Sequence, residues 1–459
     1  MHISLGQQLA DPQQVHDSGQ PFGFRLEGAP ARAGEGIVAA AAIFLTLLQQ
    51  SLVKQAGEQA VECADLEADA PTRLPLHFLH DFVAVARRLE EHEEDVEIGG
   101  LERFRKVIHI SNWNTGSLLV MTGGSQERKH TPRVMLVLMN YRKLGRTNFA
   151  VSEIGYGAWG IGGTQWLGGT DDESLLALRR AIELGVNFID TALAYGDGHS
   201  EKLVGRIVRE TKAGIFVATK VPPKNRIWPA QRGVGIQNVF PYDYIVSSAE
   251  QSLRNLGLDA IDLLQLHVWN PEWVDREEWR RAFEDLKRSG KVRFAGVSLS
   301  DHDPDSGLSV IRTGLIDSVQ VIYNIFDQSP EKQLLPLCQA DDIGVLARVP
   351  LDEGGLSGHL DEHTRFPTGD FREWYFRGGR KKQVAEHVAA LRRDLGGGVN
   401  LPETALRFCL SHPAVSTVIP GMRTRQHAES NTGVSALGAL SRETLTVLKR
   451  HAWDRNFYS

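Results

Sequence analysis

From residue 141 onward the chain alternates short apolar runs with stretches whose apolar residues recur every three or four positions, a loop lying between each pair. The apolar runs at 154–159, 188–191, 215–220, 261–267, 294–298, 318–323, 344–351 and 417–420 read as buried strands. The periodic stretches that follow them read as helices over 171–184, 201–209, 244–256, 277–288, 306–313, 331–341 and 381–395, with an eighth from about 425. Ahead of the first unit, 141–154 reads as a hairpin turning at Gly145-Arg146-Thr147-Asn148. Extra helices are expected at 402–411 and 441–451, and Ser200 is placed to cap the helix at 201–209.

Eight strand–helix units within about 300 residues give the count and size of a (β/α)8 TIM barrel, an α/β fold, with an N-terminal β-hairpin and extra C-terminal helices. The structural rival is a doubly wound open sheet. It lacks support because Gly196-x-Gly198 is followed by Glu201 where the last glycine of a dinucleotide fingerprint belongs.

Residues 1–138 do not share this texture. Helices could form at 37–56 and 76–93, but 87–97 is a dense charge run and no motif stands out. Three readings stay open for this part: a small helical domain, a poorly ordered extension, or residues upstream of a true start at Met139. The domain boundary is therefore set at 138/139, with the barrel over 139–459.

Composition adds exclusions. Apolar content of 42%, charged content of 24% and a net charge of −6 fit a cytoplasmic globular protein with no electrostatic call for nucleic acid or an anionic membrane. Cys63, Cys338 and Cys409 are odd in number and far apart, so neither a disulfide framework nor a metal site is expected. The longest apolar run, 37–48, is too short to cross a bilayer.

The candidate chemistry collects at strand ends, where a barrel of this type does its work. Strand two delivers Asp190 and, just beyond it, Tyr195; strand three ends on Lys220; strand four ends on His267. A phenol is a poor acid at neutral pH, but an ammonium within about 4 to 6 Å lowers its pKa by roughly 1 to 3 units. Asp190 would hold that ammonium charged, and His267 would orient a substrate oxygen. Together these four make a general acid for a carbonyl receiving hydride.

Here the chain resembles the aldo-keto reductase family, NADPH-dependent enzymes on a (β/α)8 barrel. YRKLGRTNFAVSEIGYGAWG, FIDTALAYGDGHSEKLVG, VATK, LLQLH, GVS and VIPGMR occur in family order over about 140–459. The resemblance implies an active site of Asp190, Tyr195, Lys220 and His267, with Tyr195 as proton donor. It implies Ser298 and Gln320 at the nicotinamide carboxamide, with Ser300 substituting for the asparagine common after that serine. Gly157, Ala158 and Trp159 would line the cofactor's reactive end, with Asp190 beside them.

In strand seven the family's alanine-tyrosine-serine-proline-leucine is replaced by Ala347-Arg348-Val349-Pro350-Leu351. Arg348 would then stack at the nicotinamide beside Pro350 and Leu351 and, through its charge, favour bound NADPH over NADP+. Gly421, Arg423, Arg425 and Asn431 would take the adenosine end and its 2′-phosphate, which favours NADPH/NADP while leaving NAD admissible.

Two long loops, 222–242 and 352–380, would wall an aromatic, partly cationic pocket with Trp159, Trp228, Phe371 and Trp374. The resulting reading is NADPH-dependent reduction of an aldehyde or ketone without a metal. Its alternatives are an NADP-holding redox sensor and a sugar or alcohol dehydrogenase working oxidatively. Substrate identity and oligomeric state are not encoded in any motif.

Overall fold

The structure, a computed structural model, describes residues 108–112, 116–121, 135–211 and 214–458. The helices expected at 37–56 and 76–93, and Cys63, lie outside the described residues. Three strands, β1 (Ile108–Asn112), β2 (Gly116–Met121) and β3 (Met135–Met139), pair antiparallel in chain order. β3 runs across the boundary expected at 138/139, and Met139 is fully buried in the main core cluster.

The hairpin forms as read. β4 (Tyr141–Lys143) pairs with β5 (Ala150–Ser152), Tyr141 opposite Ser152, around a tight turn at Gly145–Thr147. Gly145 has φ 47°, and a Cβ there would meet the Gly344 nitrogen at 2.2 Å, so the turn can press directly on the barrel only as glycine.

Eight parallel strands follow: β6 (Tyr156–Gly157), β7 (Phe188–Asp190), β8 (Phe216–Val221), β9 (Ile261–Leu266), β10 (Val292–Ser298), β11 (Ser318–Ile322), β12 (Gly344–Arg348) and β13 (Thr417–Val418). Each pairs with the next, and parallel bridges Ile154–Val418 and Gly157–Gly421 join the last to the first. That closure makes a (β/α)8 barrel and removes the open-sheet alternative.

Outside the strands run α1 (Asp171–Glu183), α2 (His199–Glu210), α3 (Tyr242–Leu256), α4 (Glu277–Arg288), α5 (Leu308–Arg312), α6 (Leu334–Ala340), α7 (Phe371–Tyr375), α8 (Arg380–Leu395), α9 (Leu401–Leu410), α10 (Arg425–Gly433) and α11 (Arg442–Lys449). The start of α1 is fixed by a capping box between Thr170 and Glu173, with three acidic residues in its first turn. α5 is shorter than its periodicity suggested because Pro304 opens a separate tight turn, Pro304–Gly307.

The cap of α2 differs from expectation. Its N-cap is Gly198 at φ 89°, with no side-chain bond, and Ser200 is fully buried. The Ser200 hydroxyl instead donates to the Ala158 carbonyl at 2.8 Å and meets Thr191 Oγ1 at 2.8 Å. It therefore ties β6 to the loop after β7, because Ser200 is the second residue of the helix rather than its cap, and its side chain points inward instead of back at the first turn's N–H groups.

The core has two parts. The larger cluster lies between strands and helices. The smaller fills the lower barrel, where Leu144 and Val151 of the hairpin pack with Phe188, Ala218, Leu263 and Leu346. Phe149 stacks on Phe216 with ring centres 4.1 Å apart and meets Phe294 edge-on at 5.0 Å. The hairpin thus plugs the end of the barrel opposite the carboxyl ends of the strands. Among the described residues no helix is long and apolar enough to cross a membrane, and no group of His, Cys, Asp and Glu could hold a metal ion. Cys338 and Cys409 are buried free thiols.

Candidate active site

Four of the strand ends converge on one buried ammonium. Lys220, near the end of β8 and 0% exposed, donates to Asp190 Oδ2 at 2.7 Å, to the Thr191 carbonyl at 2.8 Å and to the Tyr195 hydroxyl at 3.3 Å. Asp190 ends β7, and its other oxygen accepts from Gln320 of β11 at 2.8 Å and from Gln265 of β9 at 3.4 Å. His267 follows β9; its backbone N–H donates to the Val221 carbonyl at 3.0 Å, and its ring lies edge-on to Tyr195 with centres 5.6 Å apart.

Tyr195 is delivered by a turn that needs glycine behind it. A Cβ on Gly196, at φ 66°, would meet the Gly162 carbonyl oxygen at 2.0 Å. The loop after β6 and the loop after β7 therefore close on each other only with glycine at 196, and that contact aims the phenol at Lys220.

Electrostatics modify the expectation for Tyr195. Burial pushes its hydroxyl above the usual phenol range; Lys220 pulls the other way, and the Asp190 charge adds to the rise. The lysine was expected to make the phenol more acidic, but in this closed site desolvation wins and Tyr195 holds its proton. Burial also works against the Lys220 charge, yet Asp190 and Tyr195 overcome it and the ammonium is held above its usual value. Burial, with Lys220 and Arg348 nearby, holds His267 well below 6.5, so its ring is neutral at physiological pH. Its Nδ1 is buried without a partner among the described residues.

Asp190, Tyr195 and His267 open onto a cavity of about 1080 Å³, and Lys220 lies behind them. Its walls include Gly157, Trp159, Ser298, Ser300, Gln320, Arg348, Pro350, Leu351, Gly421, Arg423 and Asn431, all expected at the cofactor, and Trp228 and Phe371, expected at the substrate. Four expected residues are not in that wall: Lys220, which bonds to Asp190 and Tyr195 from behind it, and three others. Ala158 is fully buried, its N–H donating to the Asp190 carbonyl at 2.9 Å; Arg425 is exposed on the first turn of α10; Trp374 is 42% exposed.

The Arg348 guanidinium is not an isolated charge. It donates to Asp301 at 2.6 Å and to the Leu299 carbonyl at 3.2 Å, while its Nε is buried without a partner among the described residues. The positive charge on which a bias toward NADPH depends is therefore offset by Asp301. Arg372 is similarly bound to Asp370 at 2.8 Å and stacks over Trp166 at 4.5 Å, so the pocket carries less free positive charge than the loop sequence suggested.

Several groups in or behind the cavity wall escaped the sequence reading. Gln265, bonded to Asp190, carried a usable signal, an uncharged polar side chain between two leucines near the end of β9. Asp301, Glu353 and Tyr458 carried none, because each belongs to a loop or tail whose path depends on distant contacts. A smaller cavity of about 400 Å³ adjoins the first along Asp197, Arg226 and Trp228.

A closed barrel with this tetrad at the carboxyl ends of its strands belongs to a defined class of oxidoreductase. The profile of the Aldo/keto reductase family matches residues 153–452, and the chain belongs to that family. It is an oxidoreductase acting on carbonyl and alcohol groups, in a family that uses nicotinamide cofactors. The chain is 29% identical to the uncharacterized oxidoreductase YqkF of Bacillus subtilis over 68% of its own length and 96% of that protein. It is 33% identical to the NADH-specific methylglyoxal reductase of Escherichia coli over 47% of this chain and 69% of the relative. Among solved structures, the aldo-keto reductase AKR11C1 from Bacillus halodurans in its holo form aligns with TM-score 0.55 and 28% identity, over 68% of this chain and 96% of that one.

Proposed function

We propose that this chain reduces a small aldehyde or ketone to an alcohol using NADPH, with Tyr195 as the proton donor. The observation that carries the reading is buried Lys220, bonded at once to Asp190 and to the Tyr195 hydroxyl, two groups that line a cavity of about 1080 Å³.

The site fits a dinucleotide in size and in the groups it offers. A Cβ on Gly421 would meet nothing within 4 Å, which leaves the backbone beside α10 open to a close-lying group, and Arg423 stands in the same wall. Ser298 and Gln320 are the groups for the carboxamide. The Gln320 amide nitrogen is committed to Asp190, so what it offers is its carbonyl oxygen. When bound, the reduced nicotinamide supplies the hydride.

The chain's own groups do the rest. Tyr195 gives its proton to the carbonyl oxygen, and Lys220 stabilises the phenolate left behind. Asp190 keeps that ammonium charged and in place, held itself by Gln320 and Gln265. His267, neutral, directs a ring nitrogen at the carbonyl oxygen and orients it without competing for the proton.

The test is NADPH consumption over a panel of aldehydes and ketones, with methylglyoxal included because a related enzyme is named for it. Tyr195→Phe should lower kcat by about 10² to 10⁴-fold with cofactor affinity retained. Wild-type turnover in that variant refutes the assignment. Turnover with NADH but not NADPH refutes the cofactor preference while leaving the chemistry intact.

A further inference from the structure

The tail beyond α11, residues 450–458, brings Tyr458 into the wall of the main cavity. There it meets the loop after β12, where Val349, Asp352 and Glu353 all adopt positive φ, at 56°, 53° and 53°. Each such non-glycine residue costs on the order of 1 to 3 kcal/mol and persists only where its surroundings hold it. The restraints are specific: Asn324 donates to the Val349 carbonyl at 2.9 Å, Arg455 of the tail pairs with Asp352, and the Tyr458 hydroxyl donates to Glu353 Oε1 at 2.6 Å. The loop so held sets a carboxyl, only 7% exposed, in the same wall as Ser298, Gly421 and Arg423.

We propose that Glu353 is a proton-linked wall of the dinucleotide site, taking up a proton as the anionic cofactor enters. The inference rests on the cofactor reading above. The charged and titratable groups facing Glu353 are Tyr458 from the tail, Arg348 from β12, Asp352 from its own loop and Asp301 from the loop after β10. Glu353 is pushed up to about 7, chiefly by burial; within that balance the Tyr458 hydrogen bond and Arg348 draw it down, and Asp352 and Asp301 raise it. Arg348 is already shared with Asp301 and Arg455 with Asp352, so neither cation is committed to Glu353.

Cofactor phosphates brought into that cavity add like charge, which favours the neutral carboxyl. The sign follows. The bound-state pKa lies above the free-state value, so binding is tightest below pH 7 and weakens as pH rises through 7, about tenfold for each unit by which the pKa is raised.

Isothermal titration of the full chain with NADPH at pH 6, 7 and 8, in buffers of different ionisation enthalpy, counts the protons. Uptake of about half a proton per site is expected at pH 7, more at pH 8 and little at pH 6. Glu353→Gln, which still accepts the Tyr458 hydrogen bond, should abolish this uptake and flatten the affinity profile. Tyr458→Phe removes a bond that favours the ionised carboxyl, so the uptake should move to higher pH. NADPH binding with no dependence on buffer overturns the proposal, and so does uptake that survives in Glu353→Gln, which would assign the proton elsewhere. If neither NADPH nor NADH binds, the cofactor reading itself fails and takes this inference with it.

Discussion

Replacing Lys220 by methionine tests the electrostatic core directly. The ammonium lies 3.3 Å from the Tyr195 hydroxyl. A unit charge at that distance stabilises a phenolate by about 5 kcal/mol at an effective dielectric of about 20. The adjacent Asp190 offsets part of this, which leaves on the order of 3 to 5 kcal/mol, or roughly 10² to 10⁴-fold in kcat. The same substitution strands Asp190, only 2% exposed, without its counterion. That costs about 3 to 5 kcal/mol of stability, toward the lower figure because Gln320 and Gln265 still donate to it. Thermal unfolding should fall by about 6 to 10 °C.

The two consequences separate in the double variant Lys220→Met/Asp190→Asn, which removes both charges. Stability should return to within about 1 kcal/mol of wild type while kcat stays low, a coupling that a double-mutant cycle measures. Steady-state kinetics under saturating NADPH, together with thermal melts, supply both numbers. If Lys220→Met keeps kcat within threefold of wild type, or if the double variant recovers activity, the lysine does not act through the phenol.

Two further predictions probe other parts of the molecule. Arg423→Ala should weaken NADPH binding by about 10 to 100-fold, the value of a charge-assisted bond to a phosphate, and leave NADH binding within about threefold; equal losses for both cofactors would remove Arg423 from the 2′-phosphate. Phe149→Ala should cost about 3 kcal/mol, read as a melting temperature lower by roughly 6 °C, with kcat/KM unchanged because its contacts with Phe216 and Phe294 lie at the far end of the barrel; a loss of activity without a loss of stability would contradict the plug.

Much of this protein is written locally. Alternation of apolar runs and helical periodicity is a property of short windows, and eight such units leave the chain few ways to bury its strands other than a closed ring. Asp190, Tyr195, Lys220 and His267 were legible because strand ends share one face of a barrel, so position along a strand suffices to place a side chain. The hairpin turn at Gly145 was legible for a more local reason, the turn residues Gly145 to Asn148 set between two short strand-forming runs.

Other features required the folded chain, since they depend on distances between segments far apart in sequence. Ser200 abandons the cap because Ala158 lies within hydrogen-bonding reach across the loop. Tyr195 is pushed up rather than down because burial, which no window of sequence reports, outweighs a charge that sequence did place beside it. Arg348 shares its charge with Asp301, a loop residue 47 positions away. Tyr458 reaches Glu353 across 105 positions, through a tail whose path is set by packing rather than by any pattern of its own. Local pattern determined which groups stand at the mouth of the barrel; the three-dimensional packing decided how dry that mouth is and which charges there already have partners.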